Sequence, residues 1–85
     1  MESMEWLEQG QQLVANYVNN QTNRNLKADE VFVVWFSKTI QNKKALLGVH
    51  HSPLYFELTV NGNAGEQYID VYEKKDHYML DLEDE

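Results

Sequence analysis

Apolar side chains in the first twenty residues fall at Trp6, Leu7, Leu13, Val14, Tyr17 and Val18. The 7/14/18 and 6/13/17 sets follow the spacing of an amphipathic helix. Ser3 is a candidate N-cap, and the acids Glu2, Glu5 and Glu8 suit the positive end of a helix dipole. Gly10 costs a helix interior about 1 kcal/mol, so it either weakens the helix or marks a close packing contact. The helix is expected to stop near Asn19 and Asn20, because the side chains of "NNQTNRN" compete for backbone hydrogen bonds. Residues 20–29 then read as a polar connection anchored by Leu26.

The period changes at Val31. The run "VFVVWFSKTI" is β-branched and aromatic, and its first six residues are apolar on both faces. "QNKK" reads as a turn and "ALLGVH" (45–50) as a second strand, broken by His50-His51-Ser52-Pro53. "LYFELTV" (54–60) alternates, with Leu54, Phe56, Leu58 and Val60 inward and Tyr55, Glu57 and Thr59 outward. "NGNAG" (61–65) is a hairpin signal. "QYIDVYE" (67–73) puts Ile69 and Val71 on one face and Tyr68, Asp70 and Tyr72 on the other. For 76–82 ("DHYMLDL") periodicity does not separate a last helical turn from a short strand.

These elements predict an α+β fold, an N-terminal helix packed on an antiparallel meander of three to four strands. The expected core is Leu7, Val14, Val18, Val33, Trp35, Leu46, Phe56, Leu58, Ile69 and Val71. In a simple meander the first strand lies at the edge, although it is the most apolar segment of the chain. A long apolar edge invites aggregation unless something covers it. Strand order, the "HYMLDL" segment folding back, or a second copy in a homodimer are the alternatives, and the homodimer is the expectation.

Composition narrows the classes. Eighty-five residues make a single domain, assigned to 1–75, with 76–85 as an acidic tail. The tail holds five acids and no base, against a formal net charge of −7 for the whole chain. An acidic balance argues against a phosphate-binding surface. With no cysteine there is no disulfide, thiolate nucleophile or Cys-based zinc site. No apolar run approaches the roughly 20 residues of a membrane span, and the acidic N-terminus does not read as a signal peptide. The expected compartment is the cytoplasm.

No catalytic, metal or cofactor residues are assigned. His50 and His51 are adjacent and would point to opposite faces of a strand, and His77 stands apart. Glu73 and Lys75, with Glu57 or Asp70, form the least implausible nuclease set, in which carboxylates hold a cation and a lysine activates water. Ser52 beside His51 lacks the geometry of a nucleophile and base. The outward aromatics carry more weight. Phe32, Phe36, Tyr55, Tyr68 and Tyr72 form the candidate interaction surface. Glu57 and Asp70 share the tyrosine face and repel phosphate, which favours a protein partner over nucleic acid.

The runs "DEVFVVWFSKTIQNKKALL" (29–47) and "YFELTVNGNAGEQYIDVYEK" (55–74) resemble a family of small proteins from phages and prophages of Gram-positive bacteria, catalogued as a domain of unknown function. The resemblance implies a phage-encoded protein in the cytoplasm of its bacterial host, and carries over no activity or catalytic residue. The expected function is therefore non-enzymatic binding of a host or phage protein. A nucleic-acid-associated protein or acidic DNA mimic is the alternative, followed by a small metal-dependent nuclease.

Overall fold

The computed structural model describes residues 3–82. Helix α1 spans Ser3–Gln21, and a single 3₁₀ turn at Ala28–Glu30 leads into the sheet. Four strands follow, β1 (Val31–Lys38), β2 (Asn42–Val49), β3 (Leu54–Asn61) and β4 (Glu66–Glu73). All neighbours are antiparallel and the order is β1-β2-β3-β4, a plain meander with α1 on one face. The α+β prediction holds, with four strands. The helix runs one residue beyond Asn20, and Ser3 itself is already helical.

Polar side chains fix the path from helix to sheet. Asn19 brackets Leu26, its Nδ2 donating to the Leu26 carbonyl at 3.0 Å and its Oδ1 accepting from the Leu26 N–H at 2.8 Å. This clamp drops Leu26 into the core as the sequence reading expected. Gln11 Nε2 donates to the Val31 carbonyl at 2.7 Å and ties mid-helix to the first residue of β1. All three bonds satisfy main-chain groups at the half-buried junction, where an unpaired group is costly.

The core lies between α1 and the middle of the sheet. Trp6, Val14, Ala15 and Val18 from the helix meet Val31, Ala45, Leu47, Val49, Phe56 and Leu58 from the strands, with Leu26 at one end. Gly10 is the close contact the sequence allowed for: a Cβ there would come within 2.2 Å of Leu58 Cδ1. Of the expected core, Val14, Val18, Phe56 and Leu58 are buried, and Leu7 packs against the cluster from its margin.

Five expected core residues lie elsewhere. β1 carries a bulge: Val33 pairs with Leu47 and Trp35 with Leu46, so Val34 is an extra residue. The bulge reverses the phase of the strand. Val31 and Val33 point toward the helix side before it, and Phe36 does after it, so Trp35 turns to the opposite face and is 40% exposed. Val33 keeps the expected side but sits on the edge strand, beyond full cover. In β2 the buried residues are Ala45, Leu47 and Val49, and Leu46 faces away from the helix. "ALLGV" is apolar at both parities, so alternation alone could not set its phase. Ile69 and Val71 have the expected side, yet stay exposed. A helix is about 10 Å across, and strands are about 4.8 Å apart, so one helix covers about two strands. β4 lies outside that shadow.

The turns at one end of the sheet are joined. The Gly62 N–H donates to the Gln41 carbonyl at 3.0 Å and lies 3.1 Å from Asn42 Oδ1, linking the β3–β4 turn to the β1–β2 turn. A Cβ on Gly62 would fall 2.1 Å from the Gln41 carbonyl oxygen. Backbone cannot yield as a side-chain tip does. Gly62→Ala should therefore cost about 1–3 kcal/mol by breaking this junction. Gly65, at φ +66 with open space around it, should accept Asn with little loss. Urea midpoints of the two variants check the contrast; equal losses would mean that the Gly62 contact does not hold the turns together.

Residues 74–82 have no regular secondary structure, neither the helical turn nor the strand that the sequence left open. They do not fold back over β1, so that intramolecular cover for the first strand is absent. Tyr78, Met79, Leu80 and Leu82 are all exposed. The last three acids of the expected tail, residues 83–85, lie outside the described residues.

Candidate functional site

The sheet face opposite α1 has no helix or second sheet packed on it among the described residues. Cross-strand register assembles it in rows. Phe32, Gly48, Tyr55 and Tyr72 lie side by side in one row, and Trp35, Leu46, Glu57 and Asp70 in the next. Lys44, Thr59 and Tyr68 follow, opposite Ser37. Gly48 makes the first row possible, because a Cβ there would sit 2.6 Å from the Phe32 ring and 3.2 Å from that of Tyr55. The missing side chain lets two rings close over the strand between them.

Four of the five residues expected to form an interaction surface, Phe32, Tyr55, Tyr68 and Tyr72, therefore share this face. Phe36 does not. The β1 bulge turns it to the helix side, where its ring lies 6.0 Å from that of Trp6. Trp35 and Leu46 take its place on the open face. The sequence carried a signal for them, since both parities of β1 and of "ALLGV" are apolar. Which parity faces which side depends on the bulge and on Gly48.

Charges are laid between the rings. Lys44 Nζ lies 3.7 Å from Glu57 Oε2, a long contact between an exposed lysine and a half-buried glutamate that contributes little to stability. The Tyr72 hydroxyl donates to Glu57 Oε1 at 3.3 Å, and the Tyr68 hydroxyl to Glu66 Oε1 at 2.5 Å. Lys74 Nζ stands 5.7 Å from the Tyr55 ring centroid, within cation–π range. The Glu57 charge and its hydrogen bond hold Tyr72 above the ordinary phenol value of 10.0, and the bond to Glu66 does the same for Tyr68. Because the folded value is raised, any stability from these bonds is intact below about pH 10 and is lost as pH rises through the folded value. Glu57→Gln should bring the Tyr72 ionisation down toward 10.0, followed by NMR of ring-labelled tyrosine. An unchanged titration would mean that Tyr72 and Glu57 are not paired in solution.

The nuclease set is not brought together. Asp70 pairs with Glu57 on the open face, whereas Glu73 pairs with Leu54 on the helix side. His50 and His51 sit in the β2–β3 turn, with His51 at φ 63, and His77 lies in the C-terminal segment. No cluster of three or more His, Cys, Asp or Glu side chains able to hold a metal occurs among the described residues. No described helix is long and apolar enough to cross a membrane.

A second apolar feature lies on the helix side, a groove of about 270 Å³ between α1 and β4. Leu13, Leu58, Gln67 and Ile69 are among its walls, and Trp6 Nε1 donates to Gln67 Oε1 across it at 3.3 Å.

One helix across a four-strand meander, with the second sheet face open, defines a small two-layer α+β protein. This chain belongs to the family described as "Family of unknown function (DUF6275)", whose model matches residues 7–82. No curated protein and no solved structure matches it significantly.

Proposed function

We propose that this is a phage- or prophage-encoded protein, non-enzymatic, that works in the bacterial cytoplasm by binding a host or phage protein through the open sheet face. The observation that carries the reading is that face: Phe32, Trp35, Leu46, Tyr55, Tyr68 and Tyr72 on one side of a sheet, with no helix or strand among the described residues packed over them. The phage origin rests on the resemblance over residues 28–75. Four strands of eight residues give a face on the order of 400 Å², from spacings of about 4.8 and 3.3 Å. The rings on it are interleaved with Lys44, Thr59, Glu57 and Asp70, a mixed apolar and polar surface of the kind that protein partners bury. The face is about half of the roughly 800 Å² that each side of a standard interface buries, which fits a transient contact. Aromatic side chains with few rotatable bonds are enriched at such interfaces. Glu57, Asp70 and Glu66 on the same face oppose phosphate, which favours a protein over a nucleic acid.

Affinity capture from the bacterium that carries the gene tests it. Wild type and a Gln12→Glu control should retain the same partner, and a Trp35→Ser/Tyr72→Ser variant with unchanged circular dichroism should lose it. Retention by all three would remove the open face from the function.

A further inference from the structure

Two apolar sets face solvent on or beside the helix side of the molecule, and each includes apolar residues at the every-second-position spacing of an extended strand. One is the groove between α1 and β4, where Leu13 and Ile69 line the walls and Tyr17 and Val71 continue it along the same side. The Tyr17 ring packs edge-on against Phe56, whose strand neighbour is Val71, so the two lie close together. The other is the segment immediately after β4. Tyr78, Leu80 and Leu82 alternate with Met79 and Asp81, the period of a strand, and are 77%, 79% and 97% exposed. The family match runs through Leu82, so this segment belongs to the stretch that the family shares.

We propose that residues 78–82 of one chain dock as a fifth strand along β4 of a second copy, and reciprocally, with Tyr78, Leu80 and Leu82 entering the groove beside α1. β4 is an edge strand whose outer N–H and C=O groups are free to take a further strand. An antiparallel register with Leu80 opposite Ile69 places Tyr78 opposite Val71 and Asp81 opposite Tyr68, clear of Asp70. Every large apolar side chain of the arm except Met79 then meets the groove side of β4.

The chain's own arm is poorly placed to make this contact. The Lys74 N–H donates to the Pro53 carbonyl at 2.7 Å, so the backbone keeps its course beyond Glu73. In the same register, a return within one chain leaves Lys74-Lys75 as a two-residue hairpin loop. Such loops need positive φ and favour Asn-Gly or Gly-rich pairs, which two lysines do not supply. A second copy needs no turn. Reciprocal exchange fills two grooves with two arms, which brings a short segment toward the roughly 1,200 Å² at which specific interfaces become stable. The open sheet face takes no part, so this proposal stands or falls apart from the preceding one.

The chain has no cysteine, so introduced thiols report only the contact under test. Full-length Ile69→Cys and Leu80→Cys chains, distinguishable by mass, are mixed at about 200 μM and mildly oxidised. A disulfide-linked heterodimer is expected, and a Leu80→Cys plus Gln12→Cys mixture should give none. The Ile69→Cys/Leu80→Cys double variant should give a covalent dimer, and Val71→Cys/Leu80→Cys should give one in its place if the arm sits two residues along β4. An intrachain disulfide in either would overturn the proposal in favour of the chain's own arm, and no cross-link in any pair would overturn it outright. Sedimentation equilibrium supplies the second reading. Wild type should move from 10.0 kDa toward twice that mass with concentration, and Leu80→Asp should remain monomeric. Equal self-association of the two, or none in wild type, would also overturn it.

Discussion

Phe56→Ala should lower the unfolding free energy by about 3–5 kcal/mol, the usual loss for a large aromatic removed from a packed core. The ring is fully buried at the centre of β3. It lies beneath the helix, in edge contact with Tyr17 at 5.5 Å, and its strand neighbours are Leu47 and Val71. Helix and sheet are both tied through that ring, so the cavity cannot collapse without moving one of them. A chain of this size has about 4–13 kcal/mol of total stability, so the loss takes from roughly a quarter to all of it. Guanidinium unfolding followed by tryptophan fluorescence measures it. A midpoint near that of wild type would mean that the register of β3 is wrong.

Val14→Asp should unfold the protein, while Leu13→Asp changes stability by no more than about 1 kcal/mol. The residues are adjacent on α1, with Val14 0% and Leu13 58% exposed. At position 14 the carboxylate would enter a cluster with no buried polar or charged side chain to receive it. Burying an unpartnered charge costs several kcal/mol, comparable to the whole stability of the domain. At position 13 it would stay in water and meet only the lower helix propensity of Asp. Thermal melts by circular dichroism read both. Two similar losses would mean that the helix is rotated from the orientation described.

The contrast bears on how far the chain could be read without its fold. Helical spacing offered Leu7/Val14/Val18 or Trp6/Leu13/Tyr17 as the buried side, and the observed stripe takes members of both. Trp6, Gly10, Val14 and Val18 lie at successive intervals of four, with Ala15 beside them. Gly10 and Ala15 add little to a hydrophobic period, so the centre of the stripe was hard to see. It is where the helix approaches Leu58 and Leu47 most closely.

The candidate site was legible in the same uneven way. Tyr55, Tyr68 and Tyr72 were readable as one outward face, because β3 and β4 alternate cleanly and an Asn-Gly turn joins them. Trp35 and Phe36 were assigned to each other's sides, since an extra residue in an apolar strand leaves no mark in its period. The groove beside β4 had no sequence signal at all. It follows from the width of one helix against the width of four strands.

Element order, the antiparallel meander and the helix on one face of it are written in the local pattern of the chain. Those follow from local physics: a change of period from 3.6 to 2, turn residues, and connections too short for anything but neighbouring antiparallel strands. Tertiary structure alone decided the phase of β1 and β2 and how far the cover extends. In a segment apolar at both parities, either face satisfies the hydrophobic effect. The choice then falls to packing: the Val34 bulge, the rings that close over Gly48, and the finite width of α1.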